Sequence, residues 1–195
     1  TSDSTENVKT ITMEEANEYL TLRKKASWQI AVGTLLCILS PVTLIILGAI
    51  SEVPSFGISE EFMGIVGLGV LFLFVICAIA LFIYSGFKSD QYSFLEKEEF
   101  KLAYGVKGLA SDRKKKFRNT YVISNIIATI LCVISPVPLI ISGFFDNDLL
   151  SVLMLVILFV LVGIATFIFI VVGVRNASME KLLKEGEYCE KLKTV

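Results

Sequence analysis

The sequence predicts an all-α integral membrane protein with four transmembrane helices. Of its 195 residues, 54% are hydrophobic, against roughly 45–50% in soluble domains. The excess lies in four stretches without Asp, Glu, Lys, Arg or His: residues 27–50, 62–87, 120–143 and 149–174. At about 1.5 Å per residue, a helix of each length can cross a hydrocarbon core of about 30 Å with some tilt.

A thirteen-residue motif occurs twice. Residues 36–48 read LCILSPVTLIILG and residues 131–143 read LCVISPVPLIISG, with nine of thirteen positions identical. Each copy lies in the first span of a pair, and two crossings return the chain to its starting side. The copies must therefore share one orientation. This predicts two tandem parallel hairpin repeats, 12–100 and 101–195, preceded by a linker over residues 1–11.

Each repeat is predicted to add cytoplasmic segments to its two spans. In the first repeat, Thr12 and Glu15 have capping-box spacing, which predicts one helix from about residue 13 through the span at 27–50. After the span at 62–87, we expect a cytoplasmic helix over residues 91–102. Gly105 and Gly108 should break that helix before a basic loop. The spans at 120–143 and 149–174 follow, then a cytoplasmic tail helix over residues 179–192.

Basic residues are confined to three segments of the chain. All 18 Lys and Arg lie in residues 1–26, 88–119 and 175–195, while the two other connections carry acids only. The positive-inside rule therefore predicts a multi-pass protein with both termini and the central loop in the cytoplasm.

The densest run of positive charge has two interpretations. It either fixes the topology or binds anionic headgroups, worth about 1 kcal/mol per basic residue near the surface. The residues for anionic-lipid contact are Arg113, Lys114, Lys115, Lys116 and Arg118.

The repeated Ser-Pro pair predicts a helix kink with its own polar repair. Pro41 and Pro136 have no amide to give the carbonyl four residues earlier. A helical Ser hydroxyl can reach that carbonyl, and Pro138 should disturb the second copy more than the first. The two kinked helices either pack together through small residues or open a small pocket for a lipid or apolar ligand. The residues of this predicted kink or pocket are Cys37, Ser40, Pro41, Cys132, Ser135 and Pro136.

The residues give no support for a metal site, for ion-coupled transport or for catalysis. The chain has no His and no Cys pair at metal-ligand spacing, so we predict no metal site and no cofactor. No Asp, Glu, Lys, Arg or His lies inside the four spans, which disfavours ion coupling. Because no acid–base pair can be assembled, we predict that the protein is not an enzyme and has no catalytic residue.

Four short segments resemble one bacterial family. They are residues 12–20 (TMEEANEYL), 36–41 (LCILSP), 95–100 (LEKEEF) and 104–106 (YGV). They resemble the C-terminal four-helix membrane domain of regulators that carry an N-terminal helix-turn-helix domain of the Xre type and a polar linker. The resemblance implies the bacterial cytoplasmic membrane and a DNA-binding domain ahead of Thr1 in the full-length protein. It assigns no activity to specific residues.

We therefore predict a membrane anchor or sensor module of a bacterial regulatory protein. Its signal would be a lipid, an apolar ligand or a membrane partner, and its expected partners are the bilayer, anionic lipids and the upstream DNA-binding domain. The alternative is a small transporter or exporter of apolar substrates without ion coupling, acting as a homodimer. Flux in proteoliposomes would favour the alternative, and a DNA-binding domain in the same reading frame would favour the regulator.

Overall fold

The computed structural model describes residues 9–51, 59–92, 95, 100–145 and 147–192. Four of its helical stretches are long and apolar enough to cross a membrane: Met13–Ser51, Glu61–Asp90, Val106–Ser142 and Asp148–Leu183. This confirms the multi-pass helical membrane class. The elements, in chain order, are β1 (Lys9–Ile11), α1 (Met13–Ser51), α2 (Glu60–Asp90), β2 (Phe100–Leu102), α3 (Val106–Ile134), α4 (Val137–Ser142) and α5 (Asp148–Leu192).

Helix α1 begins at the predicted capping box. The Thr12 amide donates to Glu15 Oε2 at 2.9 Å, and the Glu15 amide donates to Thr12 Oγ1 at 3.3 Å. Two amides that have no partner inside the helix are thereby satisfied. From there α1 continues for 39 residues, with Pro41 inside it. The prediction of one uninterrupted helix from residue 13 is confirmed.

The second copy of the motif breaks its helix where the first copy does not. Helix α3 ends at Ile134, Ser135 and Pro136 form a turn, and α4 begins at Val137. Two prolines within three residues, Pro136 and Pro138, remove two amide donors, whereas Thr43 occupies the position of Pro138 in the first copy. The predicted greater disturbance of the second copy is confirmed.

Helix α1 lies between α2 and α5, and α3 packs along α5. These helices approach each other closely at two glycines, where a larger side chain would not fit. A Cβ built on Gly33 would lie 2.8 Å from Phe82 Cε1 in α2, and one built on Gly163 of α5 would lie 2.8 Å from Leu35 Cδ1 in α1. Within the described residues, α1 and α3 do not pack along each other. The interpretation that the two kinked helices pair with each other is therefore wrong, because α1 packs against α2 and α5, with Gly33 facing Phe82 of α2.

A short two-stranded sheet forms from residues just before α1 and just before α3. Strands β1 and β2 pair in parallel, with Ile11 opposite Leu102, and the Ala103 amide donates to the Ile11 carbonyl at 2.9 Å. The fold remains predominantly helical, but the prediction of linker is wrong for residues 9–11, which are a strand. Burial of Ile11 and Phe100 stabilises the pair. The predicted linker residues 1–8 lie outside the described part of the chain.

The predicted cytoplasmic helix at 91–102 is also wrong over residues 100–102, which form β2. Helix α2 ends at Asp90 and a turn follows. Leu95 is helical as predicted, and residues 93–94 and 96–99 fall outside the described residues.

The predicted basic loop is a helix. Gly105 adopts φ 90° ahead of α3, a conformation that glycine reaches without strain. Helix α3 then carries the whole basic run into the third span. Lys and Arg are good helix formers, so charge density alone did not indicate a loop.

One end of the bundle holds a core whose members lie mostly outside the long apolar spans. The starts of α1 and α3 meet there through Asn17 and Arg113, and the start of α1 meets the late part of α5 through Arg23 and Ser178. We call this the basic end, and the cluster there the basic-end core. Its buried members are Ile11, Ala16, Tyr19, Leu20, Leu95, Phe100, Val106, Ala110, Phe117, Val172, Met179 and Leu182.

Candidate functional site

The main candidate site is a cavity of about 440 Å³ at the basic end, between α1, α3 and α5. We call it the basic cavity. Its volume falls in the range of about 300–1,000 Å³ that small-molecule sites occupy. Among the described residues that line it, five are cationic and none is acidic. The full lining is Leu20, Thr21, Arg23, Lys24, Arg113, Lys116, Phe117, Thr120, Arg175, Ser178 and Met179.

Each of the three arginines of the cavity contacts an uncharged side chain. Arg23 Nε donates to Ser178 Oγ at 3.1 Å, and Arg113 Nη2 donates to Asn17 Oδ1. The guanidinium carbon of Arg175 lies 4.4 Å from the centroid of the Phe117 ring, a cation–π contact. Each contact fixes a direction for the guanidinium without neutralising its charge.

The wall of the cavity is buried and partly apolar. Phe117 and Met179 are 8% and 6% exposed, and Ser178 is 1% exposed. The Ser178 hydroxyl donates to the Val174 carbonyl at 2.7 Å, which leaves its oxygen to accept from Arg23. A low-dielectric wall strengthens any charge interaction made in front of it.

The cavity lies at the border of the apolar spans. Thr120 is the first residue of the apolar stretch 120–143, and Arg175 directly follows the stretch 149–174. In a bilayer this border coincides with the headgroup layer, where Trp residues also concentrate. Trp28, near the start of the first span, is half exposed and packs edge-on against Phe167 of α5 at 5.1 Å.

The structure divides the predicted basic cluster among different faces of α3. Arg113 and Lys116 line the basic cavity. Lys115 and Arg118 line a separate depression with Asn119, Val122 and Ile123, which we call the Lys115 depression. Lys114 lines neither of them.

Helix periodicity explains this division. Residues 113, 116, 117 and 120 follow the spacing i, i+3, i+4, i+7, and residues 115, 118, 119 and 122 follow the same spacing on a neighbouring face. The sequence reading missed Arg23, Lys24 and Arg175. Their positions beside the ends of apolar spans could have indicated that they lie near the basic run of α3.

The kink residues form two separate local structures. Ser40 Oγ donates to the Cys37 carbonyl at 2.8 Å, and Ser135 Oγ donates to the Cys132 carbonyl at 2.9 Å. These are the carbonyls that Pro41 and Pro136 leave without an amide donor, so each hydroxyl reaches the predicted acceptor. None of the six kink residues lines the basic cavity or the Lys115 depression.

The double variant Ser40→Ala, Ser135→Ala is expected to lose about 1 kcal/mol of unfolding free energy per site, because a net hydrogen bond contributes about that much. Denaturant titration in detergent micelles measures the loss. Ser142→Ala is the matched control: Ser142 donates to the Leu139 carbonyl, which also accepts the Gly143 amide, so its removal should cost less. Equal stability of the double variant and the wild type would contradict a repair role.

A tyrosine ties the end of α2 to the start of α1. The rings of Tyr19 and Tyr92 meet edge-on with centroids 5.4 Å apart. Burial raises the pKa of the Tyr92 phenol to about 12, with further contributions from its hydrogen bond to Glu18 and from the negative charges of Glu18 and Glu15. Tyr92 therefore keeps its proton at neutral pH and serves as a hydrogen-bond donor.

Within the described residues, no three His, Cys, Asp or Glu side chains are placed to hold a metal ion. The chain matches no protein-family model, no curated protein and no solved structure. The regulator family therefore stays a prediction from the segments quoted above.

Proposed function

We propose that this chain is a membrane-anchored sensor module that regulates a cytoplasmic partner. The observation that carries the proposal is that two helices are continuous between the apolar spans and the basic end. Helices α1 and α5 run without a break from apolar spans into the basic-end core. Ile11 of β1 is a buried member of the same core. A shift of either helix within the bilayer therefore reaches the N-terminal strand through packed side chains.

The charge distribution supports a cytoplasmic basic end. All Lys and Arg of the chain lie in residues 1–26, 88–119 and 175–195, whose described parts contribute to the basic-end core, and the two other connections carry acids. The positive-inside rule places such an end in the cytoplasm. Two copies of one hairpin, both starting from the basic end, account for this asymmetry.

The element that could respond to a signal is the β1–β2 pair. Three residues on each strand, Lys9–Ile11 and Phe100–Leu102, make a small ladder. Such short elements open locally at low cost compared with long packed helices. Both strands contribute buried side chains to the core, so their pairing depends on how α1, α3 and α5 meet.

The resemblance to helix-turn-helix regulators suggests the partner. We propose that the strand β1 transmits the state of the membrane helices to a DNA-binding domain ahead of Thr1. Reading the same open reading frame upstream tests this: a helix-turn-helix domain would support the regulator, and an in-frame stop codon directly before the chain would remove it.

We propose no enzymatic role, since the described lining of the basic cavity offers cations and hydroxyls but no carboxylate or histidine to act as a general acid or base. The transporter alternative draws on the sequence alone. It predicts flux of apolar solutes across proteoliposomes, which a sensor module would not produce.

A sensor predicts that the bilayer controls the strand pair. Amide exchange measured by mass spectrometry should change about 5–150-fold at residues 9–11 and 100–102 between nanodiscs of short-chain and long-chain lipid, because allosteric coupling commonly amounts to about 1–3 kcal/mol. Amides of α1 between residues 31 and 47 are the internal control and should not change. Identical exchange at both strands in every bilayer would contradict the sensor function.

A further inference from the structure

We propose that the basic cavity binds a phosphate-bearing anion, presented by an anionic lipid headgroup or by a soluble phosphate ester. As the signal of the sensor, this ligand rests on the proposed function. As a binding site, it stands on the geometry of the cavity alone.

The first support is uncompensated charge. Arg23, Arg113 and Arg175 come from three different helices, and Lys24 and Lys116 complete the set. The described part of the lining contains no acid that would offset these charges. An anion in the cavity therefore gains attraction from five cations.

The second support is preorganisation. Ser178, Asn17 and the Phe117 ring already orient the three guanidinium groups. The hydrogen bond from Arg23 to Ser178 is donated by Nε and not by either terminal nitrogen. Arginine offers planar donors that match phosphate oxygens in pairs, and part of the ordering cost is already met before the ligand arrives.

The third support concerns what surrounds the charge. Phe117 and Met179 give the cavity an apolar wall, and Thr120 marks the border of the third span. A phosphate at this depth can remain attached to a lipid whose glycerol and chains continue along the apolar surface. The Lys115 depression is a weaker candidate, because it has two cations, Lys115 and Arg118, against five in the basic cavity.

The test is native mass spectrometry of the whole chain in neutral detergent, with phosphatidylglycerol and phosphatidylcholine of identical acyl chains. Wild-type protein should retain phosphatidylglycerol at least about tenfold more tightly, and Arg23→Gln with Arg113→Gln should reduce that preference by about tenfold, which is 1.4 kcal/mol. Lys115→Gln with Arg118→Gln is the matched control. It removes the same number of positive charges, but outside the cavity, and should change the lipid preference less than twofold.

A second arm identifies the source of the phosphate. Glycerol 3-phosphate titrated into the same protein should raise the melting temperature if a soluble ester suffices, and leave it unchanged if the ligand must be a lipid. Either result, together with a loss in the cavity variant, supports the site.

Equal losses in the two double variants would mean general surface attraction and would overturn the proposal, as would the absence of binding to both probes. If Arg23→Gln with Arg113→Gln fails to fold, Lys24→Gln with Lys116→Gln replaces it, because both lysines are exposed and their loss leaves the packing intact. Binding without any change in amide exchange at the strands would retain the site and refute the ligand as the signal of the sensor.

Discussion

Gly33→Leu is expected to separate α1 from α2 and to lower the unfolding free energy by about 3 kcal/mol, the upper part of the range for overpacked sites. Even a single Cβ at this position would lie 2.8 Å from Phe82 Cε1 and 3.3 Å from the Ala78 carbonyl oxygen. The phenyl ring could rotate away, but the carbonyl oxygen belongs to the backbone of α2 and cannot. A leucine therefore forces the two helices apart.

The measurement is unfolding in mixed micelles, followed by loss of helical circular dichroism. Gly48→Leu is the matched control, because it lies on the same helix with no atom within 4 Å of the added Cβ. It should leave stability within about 0.5 kcal/mol of the wild type, as ordinary surface substitutions do. Equal stability of the two variants would show that α1 and α2 do not approach closely at Gly33.

Leu182→Asp is expected to open the basic-end core while the four spans stay inserted. Leu182 is 1% exposed and is among the largest fully buried side chains of the described residues. Truncation of a buried leucine costs about 2–5 kcal/mol, and a buried carboxylate without a partner adds several more. The total exceeds what a small extramembrane cluster can supply, so we expect local unfolding.

Limited proteolysis in nanodiscs and amide exchange at residues 9–11 and 100–102 report this opening, and circular dichroism reports the retained spans. Ala177→Asp, at an exposed position on the same helix, is the matched control and should behave as the wild type. The Leu182 variant should also lose the bilayer dependence of strand exchange. If that dependence survives in an opened core, the route from membrane to strand β1 does not pass through Leu182 and its neighbours.

The two variants separate two layers of the molecule. Gly33→Leu acts where one helix meets another inside the apolar spans, and Leu182→Asp acts where helices meet strands at the basic end. A sensor requires both layers to be coupled, so either variant should disturb strand exchange. A passive anchor would show a change in strand exchange for the second variant only.

Local features of this protein could be predicted from its residues because they depend on neighbours along the chain. Hydropathy defines the four spans, since a stretch without charges finds its lowest free energy in lipid. The capping box joins residues three apart, and the Ser-Pro repair joins Ser40 to a carbonyl three residues back. The extra proline of the second copy predicted the greater disturbance there for the same reason.

Helix partners, the small sheet and the basic cavity were decided by tertiary structure. Lipid chains are as apolar as leucine, so hydrophobicity does not tell one span which other span to contact. Steric fit at Gly33 and Gly163 does, and it places α1 beside α2 and α5 instead of α3. Strand β1 finds its partner in β2, far along the chain. Arg23, Arg113 and Arg175 likewise become one site only when three helix ends converge, and no periodicity within a single segment contains that information.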